Sequence, residues 1–183
     1  MKRSLIALAA LFAITAQAAN FVQVEQENVS GRKGADGSSV TYQRAGKDIG
    51  DYTLGVQART ARFDAGGIAS SLETTVSNKK VSAFGITPFV GVARDFGGDA
   101  AHAAYSYGLV GASAGTKVGA GFAYAGLKTR VGSTESGART KQTVSFIGYS
   151  HPVAKDVAVN VGASYSGQDI KEKGVSVGLA FGF

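Results

Sequence analysis

The chain has 183 residues, a formal charge of +6, 44% hydrophobic residues, 2 Pro and no Cys. The absence of Cys excludes disulfides and thiol chemistry. A body rich in Gly (26 residues), Ala, Val, Ser and Tyr disfavours helices and suits pleated strands whose backbones approach closely. A basic balance of this kind suggests nucleic acid in a cytoplasmic protein; here the basic residues scatter through loops, and the amino-terminus points elsewhere.

Lys2 and Arg3 form a positive region, Leu5 to Ile14 is apolar, and Ala16-Gln17-Ala18 supplies small residues at the spacing signal peptidase reads. The apolar run is shorter than the roughly 20 residues a spanning helix needs. The expectation is a cleaved signal peptide over 1–18 and one domain over 19–183, with 165 residues (183 − 18) and a charge of about +4 (6 − 2). Later apolar runs are shorter than a spanning helix, so any insertion into a membrane would be by strands.

Ten strands are predicted from period-two alternation. The first, Asn20–Asn28, sets Val22 and Val24 against Gln23, Glu25 and Glu27. The second, Ser38–Arg44, alternates Val40 and Tyr42 with Thr41 and Gln43. The third, Asp51–Arg62, turns Tyr52, Leu54, Val56 and Ala58 one way and Thr53, Gly55, Gln57 and Arg59 the other. In the fourth, Leu72, Thr74 and Val76 oppose Ser71, Glu73 and Thr75. The fifth sends Phe84, Ile86, Val90 and Val92 outward and Gly85, Thr87, Phe89 and Gly91 inward. Pro88 has no ladder donor, which predicts a bulge or weakened pairing there.

The sixth strand carries Tyr105, Tyr107 and Leu109, and the seventh places Val118, Ala120, Phe122 and Tyr124 opposite Gly119, Gly121 and Ala123. The eighth, Gln142–Ser150, shifts from Val144 and Phe146 to Ile147 and Tyr149, the mark of a bulge. In the ninth, Val157, Val159, Val161, Ala163 and Tyr165 oppose Ala158, Asn160, Gly162 and Ser164. The last sets Val175, Val177, Leu179, Phe181 and Phe183 against Gly174, Ser176, Gly178, Ala180 and Gly182.

The connections also alternate. Val29–Gly37, Phe63–Ala69, Asp95–His102, Val131–Lys141 and Ser166–Glu172 are longer and richer in charge and Gly than Ala45–Gly50, Asn78–Lys80, Ser113–Thr116 and His151–Lys155. Long loops at one end and short turns at the other, on an even number of strands, describe a bacterial outer-membrane barrel. A soluble sandwich would put Lys and Glu on the second face, where Gly, Ala, Ser and Thr stand. The fold expected is all-β: a closed antiparallel transmembrane barrel of about ten strands, with eight as the alternative because the first two are the least regular.

The carboxy-terminal third resembles known proteins. Gly148-Tyr149-Ser-His-Pro-Val-Ala-Lys-Asp156, the alternating strand to Tyr165 and the terminal Phe183 are similar to the final hairpins of Gram-negative porins. The resemblance implies a cell outer-membrane location, outer-membrane lipid and lipopolysaccharide as surroundings, and the barrel-assembly machinery as a partner that reads Phe181 and Phe183. The chain is too short for the wide barrel of a general porin, so it looks like a small barrel with porin-like endings.

Three functions follow. The first is a narrow porin-like channel for small solutes, lined by Glu25, Glu27, Gln57, Arg59, Glu73 and Lys117, with Gly119, Gly121, Ala158, Gly162 and Gly178 leaving room. A hairpin symmetric about Gly66 predicts an Arg59–Glu73 ion pair on the inner face. The second is a structural or surface-interaction barrel with a side-chain-filled lumen, acting through loops such as Ser133–Lys141. The third, a lipid-modifying enzyme, would use His102 with Asp95, Asp99 or Ser106, because His151 falls in a turn at the opposite end; no local motif supports it. The reading is therefore a non-enzyme with no catalytic residues, no metal site, no cofactor and no nucleic-acid partner.

Overall fold

A computed structural model describes residues 20–31, 37–81, 85–97, 104–134, 137, 139–168 and 172–182. The predicted signal peptide, Phe84, Asp99, His102 and Phe183 lie outside these residues. Ten strands form a closed antiparallel barrel: β1 (Phe21–Gly31), β2 (Ser38–Ile49), β3 (Tyr52–Phe63), β4 (Ile68–Asn78), β5 (Ile86–Asp95), β6 (Tyr105–Val118), β7 (Gly121–Thr134), β8 (Arg139–Ala154), β9 (Val157–Gln168) and β10 (Glu172–Gly182). Each strand pairs with its sequence neighbours, and β1 closes the ring on β10, from Phe21 opposite Gly182 to Gly31 opposite Glu172. Closure leaves no edge strand to aggregate.

The ladder registers fix the shape. Following partners once around from Glu25, through Tyr42, Arg59, Ser71, Asp95 and Tyr105, returns to β1 twelve residues along, level with Gly37. With strands ~4.8 Å apart and rising ~3.3 Å per residue, this stagger corresponds to a tilt of about 40° and a radius of about 10 Å. Eight strands already fill with side chains, so this barrel is only slightly wider than a packed one.

The strands are longer than alternation predicts. The turns expected at Ala45–Gly50, Ser113–Thr116 and His151–Lys155 fall instead at residues 50–51, 119–120 and 155–156, the second wholly beyond its expected span. Likewise, the Val131–Lys141 loop is mostly strand, since β7 runs to Thr134 and β8 begins at Arg139. Every added residue completes ladder bonds, and polar side chains past the apolar zone face water at no cost. In the first two of these turns the leading glycine has positive φ, Gly50 (59°) and Gly119 (58°), which matches strand twist, and in the third Asp156 sits at φ 60°. The β4–β5 turn is longer and carries a 3-10 segment, Lys79–Val81. Lys79 and Lys80 there pair with Asp48 (2.8 Å) and Asp51 (2.7 Å) at the neighbouring turn.

Side-chain direction confirms part of the predicted pattern and reverses part. On β3, β4, β5, β9 and β10 the apolar set faces out as expected: Val92 is 68% and Val175 69% exposed, whereas Glu73 and Ser176 are buried. On β6, β7 and β8 the large residues face in. Tyr107 and Leu109 are buried, and their ladder partners put Phe122, Tyr124, Val144 and Phe146 on the same inner face. Gly121 and Ala123 face out, and Gly119 lies in a turn, so these do not widen the lumen; Gly162 and Gly178 do face in. The physical reason is ring stacking on bare backbone. A Cβ on Gly46, Gly111, Gly126 or Gly148 would strike the ring of Phe21, Phe89, Phe146 or Tyr124, respectively. Inward aromatics lie flat along the wall over glycines, so glycine here seats rings and does not open a pore.

Two predicted irregularities move. β8 runs in constant register past Phe146 and Ile147, and its shift falls at Pro152/Ala154 instead. Pro88 interrupts nothing on its β6 side, where it faces Ala112, whereas β4 pairing ends one residue away at Ser77–Phe89. The missing donor thus sits where no partner strand asks for one.

Candidate functional site

The inner face carries the chemistry. Twelve residues of stagger over ten strands means each strand step climbs about 1.2 residues along the axis. On that scale Glu25, Glu27, Tyr42, Arg44, Gln57, Arg59, Glu73, Lys128 and Arg130 fall in one layer about 10 Å thick near mid-height. The strands deliver them by alternation: Lys128 and Arg130 flank outward-facing Thr129, between inward Gly126 and Gly132.

Glu73 is the hub. It is 5% exposed, and it accepts from Lys128 Nζ at 2.7 Å and from Arg130 at 3.2 Å. The Tyr107 hydroxyl donates to the same carboxylate at 3.3 Å. Because Glu73 is on β4 and the two cations on β7, these bonds cross the lumen and do not run along the wall. Arg130 also donates to Gln142 on β8 at 3.1 Å and stands 5.3 Å over the Tyr107 ring, which stacks on Tyr105. Among the described residues, Arg130 Nε is the buried side-chain polar atom left without a hydrogen-bond partner.

A second set lies on the other side of the same layer. Glu25 pairs with Arg44 and accepts from Gln23 at 2.5 Å, while Arg44 Nε donates to Gln57 at 2.7 Å. Arg44 also rests 4.6 Å over the Tyr42 ring. The Tyr42 hydroxyl donates to Glu27 at 2.7 Å, and Arg59 stands directly opposite Tyr42 in the ladder. Glu27 reaches over β10 to accept from Ser164 Oγ on β9 at 2.5 Å. Gly174 makes that reach possible, since a Cβ there would collide with the Glu27 carboxylate.

Five of the six predicted lumen residues are therefore brought together: Glu25, Glu27, Gln57, Arg59 and Glu73. Lys117 keeps the inward parity but sits exposed at the turn-end rim, away from the layer. The predicted Arg59–Glu73 pair does not form. The hairpin is centred one residue earlier than Gly66, so Glu73 faces Gln57 and Arg59 faces Ser71. The Phe63 N–H to Gly67 bond and the positive φ of Gly66 (99°) and Gly67 (93°) set that centre. A two-residue displacement keeps both side chains inward and gives Glu73 other cations.

Sequence reasoning missed Arg44, Lys128, Arg130, Tyr42 and Tyr107. The signal existed for two of them: Gly126, Lys128, Arg130 and Gly132 alternate with Leu127, Thr129 and Val131. Of the residues weighed for an enzyme, His102 and Asp99 lie outside the described residues, and the described ones are dispersed. Asp95 faces the lumen, Ser106 faces outward to Arg94 (2.9 Å), and His151 stacks on outward-facing Tyr149 at the turn end.

No protein-family model matches the chain, and no curated protein matches it. Solved structures do. The Neisserial surface protein A (NspA) structure is 14% identical with a TM-score of 0.45, covering 89% of this chain and 96% of that one. The translocator domain of the autotransporter NalP from Neisseria meningitidis is 14% identical with a TM-score of 0.43, covering 99% and 98%. A loop L8 deletion mutant of OmpT, an outer membrane protein of Vibrio cholerae, is 13% identical with a TM-score of 0.43 over 87% of this chain. The chain spans 62% of the length of that OmpT structure.

Proposed function

We propose that the chain is an integral outer-membrane barrel whose lumen is closed at mid-height and which acts through its outer surface and loops. The cross-lumen hub carries this reading: one carboxylate on β4 ties two cations on β7, in a barrel about 10 Å in radius. A solute would have to break desolvated ion pairs to pass. The outer wall supports membrane insertion, with Val90, Val110, Leu127, Ile147, Val161 and Val177 each roughly half exposed or more. Even the shortest strand, β5 with 10 residues, is long enough to cross a bilayer when tilted. The longer loops then lie outside the cell and the short turns in the periplasm, and Phe181, on the outer face of β10, is available to the assembly machinery.

A porin-like channel is the second reading. It is favoured by a lumen lined with both signs of charge, which hydrates more readily than an apolar fill. Liposome swelling with small sugars and amino acids separates the two. The closed reading expects vesicles bearing the folded protein to swell no faster than empty ones. Swelling that falls off with solute size would establish the channel.

A further inference from the structure

Charge is sorted by face. On the described strands every Asp and Glu takes the inward parity: Glu25, Glu27, Asp48, Glu73, Asp95 and Glu172. The outward parity carries cations alone, and at the loop end these are Arg62, Arg94, Arg139, Lys141 and Lys173. Among the described strand residues, the outer wall is apolar at mid-height and its charges at the loop-end margin are cationic, the polarity of an anionic amphiphile reversed.

Within that margin the wall of β4–β8 carries a shallow, open groove lined by Leu72, Val92, Phe96, Gly108, Val131 and Arg139. Val92, Gly108 and Val131 form one outward ladder row across it. Gly108 is the centre of the hollow: a Cβ there would meet nothing within 4 Å. The next row toward the loops is Arg94, Ser106, Ser133 and Arg139. Arg94 donates to Ser106 Oγ at 2.9 Å, so its guanidinium lies along the groove's upper edge. Arg139 stands at the far side of that edge and lines the same groove.

We infer that this groove binds a phosphorylated lipid of the outer leaflet, its phosphate between Arg94 and Arg139 and an acyl chain along Val92, Gly108 and Val131. Guanidinium groups match phosphate geometry bidentately, and an acyl chain gains from covering the apolar row. A neutral lipid would use the floor and gain nothing from the two guanidiniums. A second copy of the chain would bring another cationic margin against this one. The inference rests on the membrane reading above, because the row order has meaning only with a bilayer against the wall.

The test uses the folded barrel extracted in a neutral detergent, with native mass spectrometry counting retained lipid. The probes are a bis-phosphorylated acylated disaccharide, the same lipid with its phosphates removed, and inorganic phosphate alone. The phosphorylated lipid should be retained at about tenfold lower concentration than the dephosphorylated one, the effect of one charge-assisted contact. R94Q/R139Q should abolish that preference. G108L, which fills the hollow, should weaken retention of both lipids, whereas R62Q/K173Q, outside the groove, should change neither.

Equal retention of the two lipids, or equal loss in the R62Q/K173Q protein, would overturn the inference. So would displacement by inorganic phosphate alone, or a dimer occupying the face. Heat-dependent gel mobility shows that each variant is folded. A failed membrane reading looks different again, as a chain that stays soluble without detergent.

Discussion

Replacing Glu73 by Ala removes the carboxylate that Lys128 and Arg130 share. Glu73 is 6% exposed at its side chain and the two cations 12% and 16%, so none of the three can turn to bulk water without rearranging the wall. Breaking a buried pair by deleting one partner typically costs about 3–5 kcal/mol, because a charge is left uncompensated. Loss of the Tyr107 bond adds up to ~1 kcal/mol. Urea unfolding of the barrel in vesicles, followed by far-ultraviolet circular dichroism, should show E73A destabilised by about 3–6 kcal/mol at an unchanged denaturant slope. The K128A/E73A double-mutant cycle should give a coupling of about 1–3 kcal/mol. A cost below ~1 kcal/mol with no coupling is the behaviour of a solvated pair. That result would refute a dry, closed layer and favour an aqueous lumen.

Other substitutions test the wall and its inner lining. Leu127→Arg, on the outward face near mid-height, should cost about 2–4 kcal/mol in a bilayer, while T116R at the turn end should cost ~1 kcal/mol or less; the same unfolding assay compares them. Gly174→Ala would push Glu27 off Ser164, at about 1–3 kcal/mol, and restoring space with E27A in the same chain should recover part of that loss. Asp156→Val forces a β-branched residue to φ 60° and should destabilise by about 1–2 kcal/mol, whereas D156G should be neutral or better.

The architecture was legible because a barrel writes its two environments at every second residue. On β3, β9 and β10 the contrast of Val, Leu and Tyr with Gly, Ser and Thr is clean, and the outward face follows at once. On β6, β7 and β8 the same rule points the wrong way. Tyr107, Phe122, Tyr124 and Phe146 are apolar enough to suggest lipid, yet each is on the inner face beside a glycine or a charge. Nothing in one strand's alternation tells a ring stacked on its neighbour's backbone from a ring facing acyl chains; that depends on register. Register was also what the β3–β4 hairpin concealed, since a turn centred one residue away exchanges Arg59 for Gln57 opposite Glu73. Lys128 and Arg130 escaped because the alternation of the seventh strand was read only as far as Tyr124. Acidic residues carry no such ambiguity, and Glu25, Glu27 and Glu73 are all buried on the inner face.

Closure of the lumen is tested most directly by single-channel recording across a planar bilayer, on the folded wild-type chain and on the E73A/E25A variant. The wild type should insert without stable openings, and the variant, with both carboxylate hubs removed, should admit small ions. Stable openings of the wild type, unchanged in the variant, would contradict a lumen closed by Glu25 and Glu73.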